Sequence, residues 1–147
     1  MNRIIITLAT IILLTSCGKK NKKQYSYWKV NGVEYSSNNV TAKEGYMKPI
    51  SRISCQDKIR FSISFSIGEF PENGEYPLAY FPTNNPDYAR LSICFDTVCY
   101  LVTNNNTAMV RASEINGKAQ FKVDSVRMVN PNNPLDSIWV DGTFNEP

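Results

Sequence analysis

Thirteen carboxylates, sixteen basic side chains and four cysteines are the groups in this 147-residue chain that can do chemistry, and histidine is absent. That absence removes Ser-His and Cys-His nucleophiles, the usual histidine-bearing catalytic zinc sites and a pH switch near neutrality. A carboxylate pair about 5–10 Å apart can hydrolyse a glycosidic bond in any fold that brings it together, but no short motif here singles out such a pair. Neither a Gly-rich phosphate loop nor an Asp-x-Asp-x-Asp calcium run occurs. The expectation is a non-catalytic chain that uses no metal and no cofactor.

The cysteines are more informative. A two-residue turn at Asp96-Thr97 sets Phe95 opposite Val98 and Cys94 opposite Cys99. Opposed residues of a non-hydrogen-bonded antiparallel pair have Cα atoms about 4.5 Å apart, within the disulfide range of about 4.4–6.8 Å. Cys94 and Cys99 are therefore the expected disulfide. Pairing of Cys55 with one of them, or three free thiols, are the alternatives that spacing leaves open. With no Cys-x-x-Cys and no histidine, metal binding by thiols is not expected, and Cys55 reads as a small buried hydrophobe.

Aromatic side chains are the candidates for binding. Tyr and Trp on an exposed sheet face can stack on sugars or anchor a protein partner, and Trp139, Trp28, Tyr80 and Tyr88 are the residues selected here. Trp139 lies between Ile138 and Val140 and so points away from both in a strand. The asparagine-rich segments Asn84-Asn85-Pro86, Asn104–Asn106 and Asn130–Asn133 read first as turn-formers.

The elements that must position these residues are strands. Ile59, Phe61, Ile63, Phe65 and Ile67 alternate with Lys58, Arg60, Ser62, Ser64 and Ser66, which excludes a helix and predicts a half-buried strand. Asn31-Gly32 and Asn116-Gly117 each separate two β-favouring runs, the strongest short-range hairpin signal. Further strands are predicted over Ile50–Cys55, Glu75–Phe81 (an edge strand because of Pro77), Tyr88–Phe95, Val98–Thr103, Ala108–Ile115, Ala119–Val129 and Ser137–Phe144. Ser36–Lys48 reads as a loop holding at most a short strand, Pro82–Asp87 as a loop, and Asn130–Pro134 as irregular. The predicted fold is all-β, an antiparallel sandwich or barrel of about eight to nine strands.

At the amino end, Arg3 precedes the apolar run Ile4–Leu14, and Thr15-Ser16 lead into Cys17. This is the layout of a secretory signal, and the run is shorter than the roughly 17–25 residues that span a bilayer. Leu14-Thr15-Ser16-Cys17 resembles the bacterial lipobox. The resemblance implies cleavage before Cys17, lipidation of that residue, and a membrane anchor of several acyl chains, each buried methylene adding about 0.8 kcal/mol. The chain then divides into a signal peptide over 1–16, a lipidated cysteine and basic tether over 17–24, and an all-β domain over 25–147. Arg3 with Lys19, Lys20, Lys22 and Lys23 accounts for the positive formal charge, since the chain from Gln24 onward has eleven basic and thirteen acidic residues, a net of −2. That near-neutral balance argues against nucleic acid as a partner, and a lysine cluster beside a lipid suits anionic head groups.

Cys17-Gly18-Lys19-Lys20, the opening Trp28-Lys29-Val30-Asn31-Gly32, the central Gly74-Glu75-Tyr76-Pro77-Leu78 and the closing Gly142-Thr143-Phe144 occur in that order. Together they resemble the small β-rich lipoproteins of Bacteroidetes-type bacteria. The resemblance implies an outer-membrane, lipid-anchored module on the periplasmic face or the cell surface, and it supplies no catalytic residue. The expected function is a binding module for a glycan or an envelope protein. The alternatives are an inhibitor or immunity-type protein that uses a projecting loop, and a small carboxylate-dependent hydrolase.

Overall fold

The computed structural model describes residues 25–43, 51–80, 87–103 and 107–147. The expected signal peptide, Cys17, the tether, and residues 44–50, 81–86 and 104–106, which include most of the expected Pro82–Asp87 loop and the Asn104–Asn106 turn, lie outside the described residues.

Period-two patterning gives eleven strands among the described residues: β1 (Ser26–Val30), β2 (Val33–Ser37), β3 (Val40–Lys43), β4 (Ser51–Cys55), β5 (Ile59–Phe65), β6 (Gly74–Pro77), β7 (Ala89–Phe95), β8 (Val98–Val102), β9 (Met109–Ile115), β10 (Lys118–Asn130) and β11 (Asn133–Asn145). There is no helix among them. All strand pairs are antiparallel, and the sheet runs β2-β1-β11-β10-β8-β7-β5-β4-β3 with β9 and β6 branching from β10. The sheet curls until it is nearly closed into a barrel, which settles the choice between sandwich and barrel.

Contacts across the interior carry that closure. Phe61 on β5 and Phe144 on β11 belong to strands far apart in the sheet, yet their rings lie 4.6 Å apart, with Trp28 of β1 5.1 Å from Phe61. Phe65 of β5 likewise meets Phe121 of β10 at 5.1 Å. Burying large aromatics of this kind is the main favourable contribution, about 1.5–3 kcal/mol for each fully covered apolar side chain. The strands at the two ends of the sheet, β2 and β3, are consecutive in the chain. The Ser37 hydroxyl donates to Asp57, and the Asn39 amide Nδ2 donates to the same carboxylate at 3.1 Å, so a polar clasp sits at the seam.

Turn chemistry sets the registers. Asn31 and Gly32 take φ of 50° and 81°, and Asn116 and Gly117 take 56° and 75°, the left-handed pair that a two-residue hairpin requires. Asp96 adopts φ of 49° in the turn between β7 and β8, and Arg60 donates to its carbonyl. The hairpin pairs Phe95 with Val98 and Cys94 with Cys99, and the two cysteines are bonded with Cα atoms 4.0 Å apart. Cys55 is the free, buried thiol among the described residues.

One expected irregular segment is regular. Asn130–Pro134 is not irregular chain, because β10 runs to Asn130, β11 begins at Asn133, and Pro131-Asn132 is a two-residue turn. The backbone N–H of Asn132 bonds to Asn130 Oδ1 at 3.0 Å. Between Asn133 and Ser137 the ladder shifts register, so Pro134, which has no N–H to donate, falls where no ladder bond is lost. Within Ser36–Lys48, the short strand that the sequence allows is β3 at Val40–Lys43, β2 extends to Ser37, and 44–50 lie outside the described residues.

Candidate functional site

β10 is the strand on which a site is built. Its first half pairs with β9 through Val123, and its second half pairs with β8 at Met128 and Val129. β11 runs along its other edge throughout. Where β10 changes partner, Asp124 and Ser125 together face the single residue Asp141 across β11, a β-bulge with Ser125 at φ of 51°. Bulges re-aim side chains, and positive φ at a residue other than glycine is uncommon. The sheet forks here, β8 diverging from β9.

The fork opens a groove of about 560 Å³ on the outer face. One wall is Trp139 with Arg127, which stand opposite one another on β11 and β10. Trp139 is 52% exposed. Its backbone is fixed at both polar groups, since Trp139 N–H donates to Asn31 Oδ1 at 2.9 Å and Asn31 N–H donates to the Trp139 carbonyl at 2.9 Å. Thus the first hairpin turn pins the strand that presents the indole. The facing wall comes from Met109 and Arg111 on β9 and Glu75 on β6, with Thr103 and Thr107 at the rim.

The charges in this groove are ordered. Arg111 Nη2 lies 3.1 Å from Glu75 Oε1, and its Nη1 lies 4.0 Å from Asp124 Oδ2. Lys122 Nζ reaches Asp124 Oδ1 at 3.1 Å. All of these groups are about half exposed, so each pair contributes at most about 1 kcal/mol to stability. Arg127 makes one hydrogen bond among the described residues, to Ser137 Oγ at 3.4 Å. The arrangement offers an aromatic face, a guanidinium fork, two carboxylates and hydroxyl groups on one surface. That is binding chemistry for a ligand with both apolar and polar faces.

The four aromatics selected from the sequence separate. Trp139 lines the groove. Trp28 does not bind anything at the surface, because it is 2% exposed and packed between Tyr35, Phe61 and Phe144. Its partner Val30 shares the inward face while Lys29 faces out, and that alternation was the available signal. Tyr88 is 38% exposed and Tyr80 half-buried; they lie on adjoining segments joined by the Leu78–Ala89 bridge, outside the groove. Arg111, Lys122, Asp124 and Arg127 were missed. Their alternation marks an outward face, but the bulge that gathers them depends on the partner strands.

None of the carboxylates among the described residues is buried, and no group of three or more metal-ligating side chains forms among them. At the seam, hydrogen bonds from Ser37 and then Asn39 hold the Asp57 carboxyl below the usual carboxylate range. On β8, burial first and then the Asp136 carboxylate raise the Tyr100 phenol, which donates to Asp136 at 2.9 Å. A second depression of about 500 Å³ beside Phe70 and Tyr76 is walled by Glu69, Glu72 and Asp87. There, burial and then the Glu72 and Asp87 carboxylates raise the Tyr76 phenol. Comparison with family models, curated proteins and solved structures finds no match in any of the three.

Proposed function

We propose that this protein is an outer-membrane lipoprotein, anchored through Cys17, that binds a glycan or an envelope protein in the groove at the β8/β9 fork. The observation that carries this reading is Trp139, half exposed and with its backbone pinned by Asn31, in a groove of charged and hydroxyl side chains. Aromatic faces of this kind supply apolar contact at little cost in side-chain entropy, while the surrounding polar groups provide orientation. The anchor reading rests on the lipobox resemblance alone, and Cys17→Ala tests it: the variant loses membrane attachment and keeps its fold.

The binding reading is tested by a glycan array and an envelope-lysate pull-down with the detergent-purified full-length protein, repeated with Trp139→Ala. A signal lost in the variant supports the groove. A signal of unchanged strength in the variant rejects it.

A second reading, inhibition of a partner enzyme, has one observation in its favour. Leu135 is 93% exposed in the register shift of β11 just past the β10–β11 turn, beside Asp136, which accepts hydrogen bonds from Tyr100 and from Asn130 Nδ2 at 3.1 Å. Such a braced apolar side chain suits insertion into a partner's cleft. Loss of protein capture in Leu135→Asp, with Trp139→Ala unaffected, would favour this reading over the groove.

A further inference from the structure

Resting on the reading of the fork groove as the ligand site, we infer that its ligand is an acidic saccharide, a sugar that carries a carboxylate. The inference begins with charge. Three cations line the groove, Arg111, Lys122 and Arg127, against two anions, Glu75 and Asp124. Both carboxylates are already engaged by Arg111 and Lys122. Arg127 is left with a hydroxyl as its one partner among the described residues, and Glu44 is the single carboxylate of the chain outside them. A guanidinium is charged at any ordinary pH and presents a planar fork that fits a carboxylate with two parallel hydrogen bonds.

Position supplies the second half. Arg127 stands directly across the ladder from Trp139, so the cationic fork and the indole share one wall. A uronic acid ring matches both: its C–H face covers an indole, and its exocyclic carboxylate projects from the ring edge. The remaining groups suit a hydroxylated ligand. Beyond their ion pairs, the carboxylates of Glu75 and Asp124 keep acceptor positions, and sugar hydroxyls are donors.

The test titrates full-length protein in detergent with oligogalacturonate, oligomannuronate and oligoglucuronate. Each is run beside its methyl ester, which keeps the backbone and removes the charge, and a Glu-rich peptide serves as a further probe. At least one uronate is expected to bind at least tenfold tighter than its ester. Arg127→Gln should abolish that difference by weakening the acid alone, and Trp139→Ala should weaken acid and ester together. Equal affinity for acid and ester, with both lost in Trp139→Ala, overturns the acidic inference and leaves the saccharide groove standing. Binding of the peptide in place of every sugar also overturns it. If neither acidic nor neutral sugars show any Trp139-dependent binding, the inference falls and the glycan reading of the groove falls with it.

Discussion

Gly142 on β11 stands opposite Trp28 on β1, and a Cβ at position 142 would lie 2.6 Å from the Trp28 Cβ. The same atom would lie 2.8 Å from the Tyr27 carbonyl oxygen and 2.9 Å from the Trp28 Cα. Two of these three neighbours are backbone, so no rotamer change relieves the crowding. The missing side chain lets β1 lie close enough for the indole to reach Phe61 and Phe144. Gly142→Ala is expected to destabilise the domain by about 1–3 kcal/mol, the usual range for overpacking. In urea unfolding this appears as a lower midpoint with an unchanged slope. A midpoint equal to that of the unsubstituted protein would show that the strands can separate without penalty.

The two tryptophans occupy opposite environments, Trp28 2% and Trp139 52% exposed. Trp139→Phe should leave a blue-shifted emission that acrylamide quenches poorly. Trp28→Phe should leave a red-shifted emission that is quenched readily. Because only one indole is accessible, any ligand that protects the native protein from quenching reports on the groove.

The Cys94–Cys99 bond closes a short loop across the β7–β8 turn, with a sequence separation of 5. Chain entropy for a loop of this length gives a stabilisation of about 2 kcal/mol. Cys94→Ala/Cys99→Ala is therefore expected to remain folded with stability lower by about that amount, measured by denaturant titration. Cys55 is buried on β4, so a thiol reagent should reach it only after denaturation. Rapid labelling of Cys55 in the native protein would contradict its place in the core.

At the β2–β3 seam, Asp57 accepts hydrogen bonds from Ser37 and Asn39, which lower its pKa from the usual 3.8. A carboxylate whose folded value is depressed contributes stability that is complete above the unfolded value and is lost as pH falls through the folded one. Asp57→Asn should therefore be less stable than the native protein at neutral pH and show a flatter stability profile below about 3.8. Acid titrations of both proteins, followed by circular dichroism, check this. Parallel acid profiles would mean that the clasp contributes nothing.

Tyr100 carries the opposite sign. Burial and Asp136 raise its pKa above 10.0, so its contribution is present below that value and is lost as pH rises through the raised one. Tyr100→Phe should remove this alkaline-side loss and weaken the hold on the β10–β11 hairpin, which hydrogen exchange of the backbone amides near Asp136 would detect.

The sequence by itself determined the local features of this protein. Strict alternation along Ile59–Phe65 excludes a helix whatever surrounds it. The Asn-Gly pairs supply their own left-handed turns, and the spacing of Cys94 and Cys99 follows from one two-residue turn. These readings held because each depends on neighbours a few residues away. What the tertiary structure alone decided is non-local. Alternation puts Trp28 on the face of Val30, away from Lys29, but the cluster that buries it needs Phe61 and Phe144, 33 and 116 positions further along the chain. The fork at Asp124-Ser125 exists because β10 outruns β9 and takes β8 as a second partner. Arg127, Trp139 and Arg111 share a groove only once that exchange has been made.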